Sequence, residues 1–127
     1  VYGSFLNYKT GFMDSEEMKN RTKQFAINVG VLTQGLPISQ INRAYSNQII
    51  RSSSSVGANY RASRRAKSNA DFINKLKIVE EELDESLFFL ELLAFFNQPQ
   101  KEEIGILYRE GETLLKIIVA SIISSRK

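Results

Sequence analysis

From Met18 onward, apolar residues recur every three or four positions, the period of a helix buried on one face, and four such stretches are separated by start and stop signals. In the first, Met18, Thr22, Phe25, Val29 and Leu32 follow Asp14, which suits an N-cap with Glu17 three residues on. Gly35 at the C′ position and Pro37 beyond it predict an end near Gln34. Ser39 or Asn42 starts the second stretch, whose core side reads Ile41, Tyr45, Ile49, Ser52, Val56, Asn59 and Ser63 and which should end around Ala66. Ser68 and Asp71 have capping-box spacing before the third, carried by Phe72, Leu76, Val79, Leu83, Leu87 and Leu90 and broken at Asn97-Gln98-Pro99. Pro99 suits the first residue of the fourth, in which Ile104, Tyr108, Gly111, Leu115, Ile118 and Ile122 alternate the same spacings. No strand-like alternation competes, so the short connections predict an all-α protein, an antiparallel up-down four-helix bundle.

The first twelve residues, 1–12, show no period and read as a leader or appended extension, with the bundle domain spanning 13–127 and Met13 as its natural start. At 127 residues, 43% hydrophobic and 24% charged, the chain has room for one core and none for a second domain. Histidine and cysteine are both absent, which removes the usual general base, the commonest metal ligand and every Ser-His or Cys-His pair. No catalytic residue, metal site or cofactor is therefore expected. No apolar run approaches the roughly 20 residues of a membrane span, and a cytoplasmic location without membrane partners is the expectation.

The net charge of +3 matters only through its distribution. From Ser39 to Val79 there are eight Lys or Arg residues against one acid, Asp71. At about 100° per residue, Arg43, Arg51, Arg61 and Arg65 fall within one quarter of the second helix. Arg64 and Lys67 make its end the densest positive spot. Guanidinium groups in a row suit phosphate oxygens and a sequence-independent affinity for RNA or DNA. A solvated face, with cations favoured near a helix C-terminus, accounts for the same pattern.

The third helix carries six acids between Glu80 and Glu91 and no base. A di-metal bundle site normally uses Glu-x-x-His pairs, so the acids are better read as partners for the arginines of the same or a neighbouring subunit. Asn59, at the core edge, would also find its hydrogen-bond partner there. Ser53 and Gly57, four apart on a face distinct from the core, would let another helix approach closely, inside the subunit or across an oligomer interface. A phosphate-binding loop is not supported, because no GxxxxGK[ST] spacing follows a strand. Phe88, Leu92 and Phe95 form a second apolar stripe that a single bundle leaves uncovered, which points to a subunit interface.

The segments SNQIIRSSSSVGANYRAS (46–63), SNADFINKLKIVEEELDESLFFLELL (68–93) and the later IIVASI resemble the four-helix-bundle proteins encoded in intervening sequences of bacterial 23S ribosomal RNA genes. The resemblance implies a homopentameric ring. A relative, the accessory variability protein of diversity-generating retroelements, has a basic surface for nucleic acid and a partner reverse transcriptase, so a partner protein of that kind is implied as well. The family carries no established enzymatic activity. Two functions follow as expectations: an oligomeric nucleic-acid-binding protein using the Arg-rich face, or a structural or protein-interaction module whose arginines pair with acids of the third helix across subunits.

Overall fold

The structure, a computed structural model, describes residues 14–127; the leader expected at 1–12 and the start at Met13 lie outside them. Four helices follow in order: α1 (Ser15–Gln34), α2 (Gln40–Ser63), α3 (Asn69–Phe96) and α4 (Lys101–Ser125), the last entered through a 3₁₀ turn at Gln98–Gln100. There is no strand among the described residues. Each helix packs on the next, and α4 closes against α1.

The first three helix starts are where the capping residues put them, whereas α4 begins at Lys101, two residues after the expected Pro99, which sits in the 3₁₀ turn. Asp14 accepts from the Glu17 N–H at 2.9 Å, Ser39 from Asn42 at 3.0 Å and Ser68 from Asp71 at 3.1 Å, each satisfying a backbone donor that the first helical turn leaves open. Asp71 reaches back one residue further than a capping box requires, accepting from the Lys67 N–H at 3.0 Å, and also takes the Lys75 ammonium at 2.6 Å. Its carboxyl is held below the usual range, first by Lys75 and then by the Lys67 N–H. Two ends differ from expectation. Gly35 keeps a right-handed backbone, φ −87°, with its N–H bonded to the Leu32 carbonyl, so the left-handed cap is not used. The second helix stops at Ser63, ahead of Ala66, with Arg64 as its C-cap.

One apolar core joins all four helices through residues such as Phe25, Ile49, Val56, Leu76, Leu83, Leu90 and Ile118. On α2 the buried arc is rotated from the expected one. Asn42, Ser53 and Tyr60 are inside, while Ile41 is exposed and Tyr45 and Asn59 are half-buried. The reason is that α2 is covered on two sides, by α1 and by α3, so its buried arc centres between them. On α4 the arc likewise takes in Leu107, Leu114 and Ile117, leaving Tyr108 and Leu115 half-buried.

The α2–α3 seam carries buried polar pairs at one end and midway along α2. Asn42 and Asn97 exchange two amide hydrogen bonds of 2.9 and 2.8 Å. Their remaining N–H groups go to the Pro37 and Leu93 carbonyls, so both carboxamides are fully used as donors. Ten residues further along α2, the buried Ser52 and Ser86 hydroxyls meet at 2.8 Å. Across the opposite seam, Arg21 on α1 forks onto Glu110 on α4 through bonds of 2.6 and 2.8 Å. That hydrogen-bonded pairing holds the guanidinium above its ordinary range.

Truncating one buried partner strands the other, which costs about 1–3 kcal/mol. Asn42→Ala and Asn97→Ala should each lower unfolding free energy by that amount in chemical denaturation. The double variant should lose clearly less than the sum of the two, because no orphaned amide remains.

Candidate nucleic-acid interface

The six cations singled out on and after α2 do not form one equivalent row. Arg43, Arg61, Arg65 and Lys67 are exposed, and none makes an ion pair among the described residues. Arg51 is taken: it donates to Glu82 at 2.9 Å and to Glu85, both on α3 of the same chain. These bonds, Glu85 first, hold its guanidinium above the ordinary range. The partners expected across subunits are thus supplied within one subunit for this residue. Arg64 folds inward, its guanidinium carbon 5.8 Å from the centre of the Phe72 ring, and is half-buried. Asn59 also departs from expectation. It donates to the Ser55 carbonyl and hydroxyl, one turn back on its own helix, and not to the acids of α3.

Arg61, Arg65 and Lys67 therefore form a compact cationic end where α2 runs into α3. Arg43 stands about 27 Å away along the same helix, at 1.5 Å per residue. The one acid nearby in sequence, Asp71, is occupied by Lys75 and the Lys67 N–H. Beneath this end lies Tyr60, 1% exposed, with a hydroxyl that has no hydrogen-bond partner among the described residues. Burial pushes its phenol up to about 12, so it stays neutral and adds no negative charge beside the arginines.

The apolar residues sort into two faces. Phe88 and Phe95 project from α3, 53% and 72% exposed, with Leu92 half-buried between them. The structure adds further aromatic residues to this face. Phe96 is exposed and stacks edge-on to Phe95 at 5.1 Å, and Tyr45 of α2 lies about 6 Å from both Phe89 and Phe96. Exposed Ile41 stands one turn before Tyr45. On the α1–α4 side, Ile27, Val31 and Ile106 are exposed as well, with Val31 and Ile106 lining one shallow groove. That side is opposite the α2–α3 side in the cycle of helix contacts. No reading of single-helix periodicity had singled it out, because each helix contributes only one or two residues.

Ser53 and Gly57, expected at a close helix approach inside the subunit or across an oligomer interface, lie at a close approach inside the subunit. Ser53 is fully buried, and a Cβ at position 57 would lie 3.6 Å from the Thr22 hydroxyl and 3.7 Å from the Lys23 backbone N. Here α1 and α2 approach closely, and the small residues that are poor helix formers in isolation are held helical by that packing. The spacing admits a methyl group at ordinary contact distance but not a longer side chain. Gly57→Ala should raise unfolding free energy by about 1 kcal/mol through helix propensity. Gly57→Leu should lower it by about 1–3 kcal/mol through overpacking against the α1 backbone. Paired thermal melts read both signs.

The family described as 23S rRNA-intervening sequence protein matches residues 15–120. A crystal structure of a protein with unknown function, from the S23 ribosomal protein family of Bacteroides thetaiotaomicron VPI-5482, superposes with a TM-score of 0.76. It shares 33% sequence identity with the chain, and the match covers 83% of this chain and 97% of that one. No curated protein matches. The family match spans all but the last few residues of the four helices, and with the solved relative of the same fold it establishes that this chain belongs to the 23S rRNA-intervening sequence protein family.

Proposed function

We propose that this chain is a non-enzymatic, oligomeric four-helix-bundle protein that binds the phosphate backbone of RNA or DNA through the cationic end of α2. The observation that carries this reading is that Arg61, Arg65 and Lys67 are exposed, close together in sequence and free of ion pairs among the described residues. Acids that would compete with phosphate are committed elsewhere: Glu82 and Glu85 to Arg51, and Asp71 to Lys75. Planar guanidinium groups fit phosphate oxygens, and such contacts position a duplex without reading its bases. A chain with neither histidine nor cysteine lacks the residues most used for general-base and nucleophilic chemistry, which supports the non-enzymatic part.

The second reading, a structural module whose arginines are consumed by ion pairs, is favoured at Arg51 alone. A salt series of duplex binding separates the two. The wild type should bind RNA and DNA duplexes of any sequence at low salt, with affinity falling steeply as salt rises. Arg61→Ala and Arg65→Ala should each flatten the log-log slope by about one unit per phosphate contact and per subunit engaged. Arg51→Ala should leave the slope unchanged. Wild type that fails to bind at low salt would leave the structural module standing.

The up-down arrangement of the helices and their assembly into a ring belong to the same proposal. Asn42 pairs with Asn97 and Ser52 with Ser86, so residue numbers rise along α2 as they fall along α3, which supports antiparallel neighbours. A ring needs two different faces on each subunit, because a head-to-tail interface joins unlike surfaces. The aromatic face around Phe88 and Phe95 and the aliphatic face of Ile27, Val31 and Ile106 provide such a pair. Light scattering should give a pentamer, five times the 14.4 kDa chain. Phe95→Glu should reduce it to a monomer with unchanged helicity, since an unpaired charge would be buried at the interface. A monomeric wild type at micromolar concentration would remove the ring.

A further inference from the structure

The outward faces of α1 and α3 carry the same spacing of residues with opposite charges. On α1, Glu16, Lys23, Ile27 and Val31 form one exposed line, separated by seven, four and four positions. On α3, Lys77, Asp84, Phe88 and Leu92 repeat those intervals, the first three exposed and Leu92 half-buried. Where α1 has an acid α3 has a base, where α1 has a base α3 has an acid, and both lines then turn apolar. Exposed Glu81 adds a second carboxylate one turn before Asp84. Lys23, Lys77, Glu81 and Asp84 make no ion pair among the described residues. Glu16 meets Lys19 of its own helix at 3.1 Å, an exposed pair of little strength.

Internal packing sets the two lines at matching heights. A Cβ at Gly57 would lie 3.7 Å from the Lys23 backbone N, and Ser52 meets Ser86. Five residues forward along α2, from Ser52 to Gly57, correspond to five back along antiparallel α3, from Ser86 to Glu81. Lys23 therefore stands level with Glu81 and about 5 Å from the height of Asp84. On the up-down reading above, α1 and α3 run parallel, so Ile27 and Val31 stay level with Phe88 and Leu92 to within a turn. The two helices occupy opposite corners of the cycle of helix contacts, so the lines do not meet inside one subunit.

Resting on the ring reading, we infer that each subunit docks its α3 in parallel against α1 of the next, a second copy of this chain. Lys77 pairs with Glu16, Glu81 and Asp84 hold Lys23, and Phe88 and Leu92 lie on Ile27 and Val31. A slide of two turns would set Lys77 against Lys23, so the charges fix the height at which the apolar lines meet. Docking at equal height gives a closed ring, whereas a rise at each step gives an open helix.

Light scattering over a concentration series tests the pairing. Lys23→Glu alone, and Glu81→Lys with Asp84→Lys in one chain, should each raise the concentration of half-dissociation by at least about tenfold through like-charge contact. Helicity should be intact in both. The triple variant, with the charges exchanged, should assemble within about threefold of wild type. Because the sequence has no cysteine, a chain carrying Lys23→Cys and Glu81→Cys offers a short bismaleimide two thiols alone, and it should yield covalent dimers and higher multiples. Lys23→Cys with Ala70→Cys, on the same outward face but about 16 Å away in height, should not link. A monomeric wild type overturns the inference together with the ring. The inference is overturned and the ring left standing if wild type assembles but the reversals change nothing, the triple variant stays dissociated, or the Ala70→Cys pair links as well as the Glu81→Cys pair.

Discussion

Two buried carboxamides facing each other satisfy one another only at a single register, and that restriction governs how α2 lies on α3. The Asn42–Asn97 pair joins the first turn of one helix to the residue that caps the end of the other, and its spare donors take the Pro37 and Leu93 carbonyls. Sliding either helix by a turn would leave two buried amides without partners, a cost of several kcal/mol in a protein whose whole stability is of order 5–15 kcal/mol. The Ser52–Ser86 contact repeats the constraint further along the seam. Apolar packing alone tolerates such slips better, because one methyl group substitutes for another. The polar seam therefore supplies specificity where the serine-rich middle of α2 supplies little helix propensity.

Once that register is set, the positions of the charges follow. Arg51 comes to rest beside Glu82 and Glu85, one turn apart on α3, and is neutralised inside the subunit. Arg61, Arg65 and Lys67 lie beyond the reach of those acids, because α3 starts at this end with Asp71 committed to Lys75 and a backbone N–H. The same geometry turns Phe88 and Phe95 outward while Leu87, Leu90 and Leu93 face the core. A single helix is thus apolar on two sides for two reasons, internal packing on one and an uncovered face on the other.

The α1–α4 seam complements this arrangement. It is held by the Arg21–Glu110 fork, and Ile27, Val31 and Ile106 remain exposed around it. Close approach is instead concentrated between α1 and α2, where Gly57 faces Thr22 and Lys23, and at Gly111, where a Cβ would fall 2.8 Å from Leu87. Small residues are placed where a neighbouring backbone, as at Gly57, or neighbouring side chains, as at Gly111, come near, and the larger apolar residues left over appear on the surface.

The amino-acid sequence by itself determined the number of helices, the starts of the first three and most of the core. Those features rest on local physics: capping side chains at Asp14, Ser39 and Ser68 act on backbone groups three residues away, and the 3.6-residue period needs no knowledge of neighbours. Tertiary structure decided what each exposed-looking residue does. Arg51 and Arg61 occupy the same sector of the helical wheel, yet one is paired and the other free, because only one stands opposite Glu82 and Glu85. Ile41 and Asn42 exchange expected places because Asn97, 55 residues further on, meets the amide. The small pair Ser53 and Gly57 could have served a subunit interface or an internal one, and the choice depended on where α1 packs. Partners far apart in sequence settle such questions, and their distances exist only once the helices are assembled.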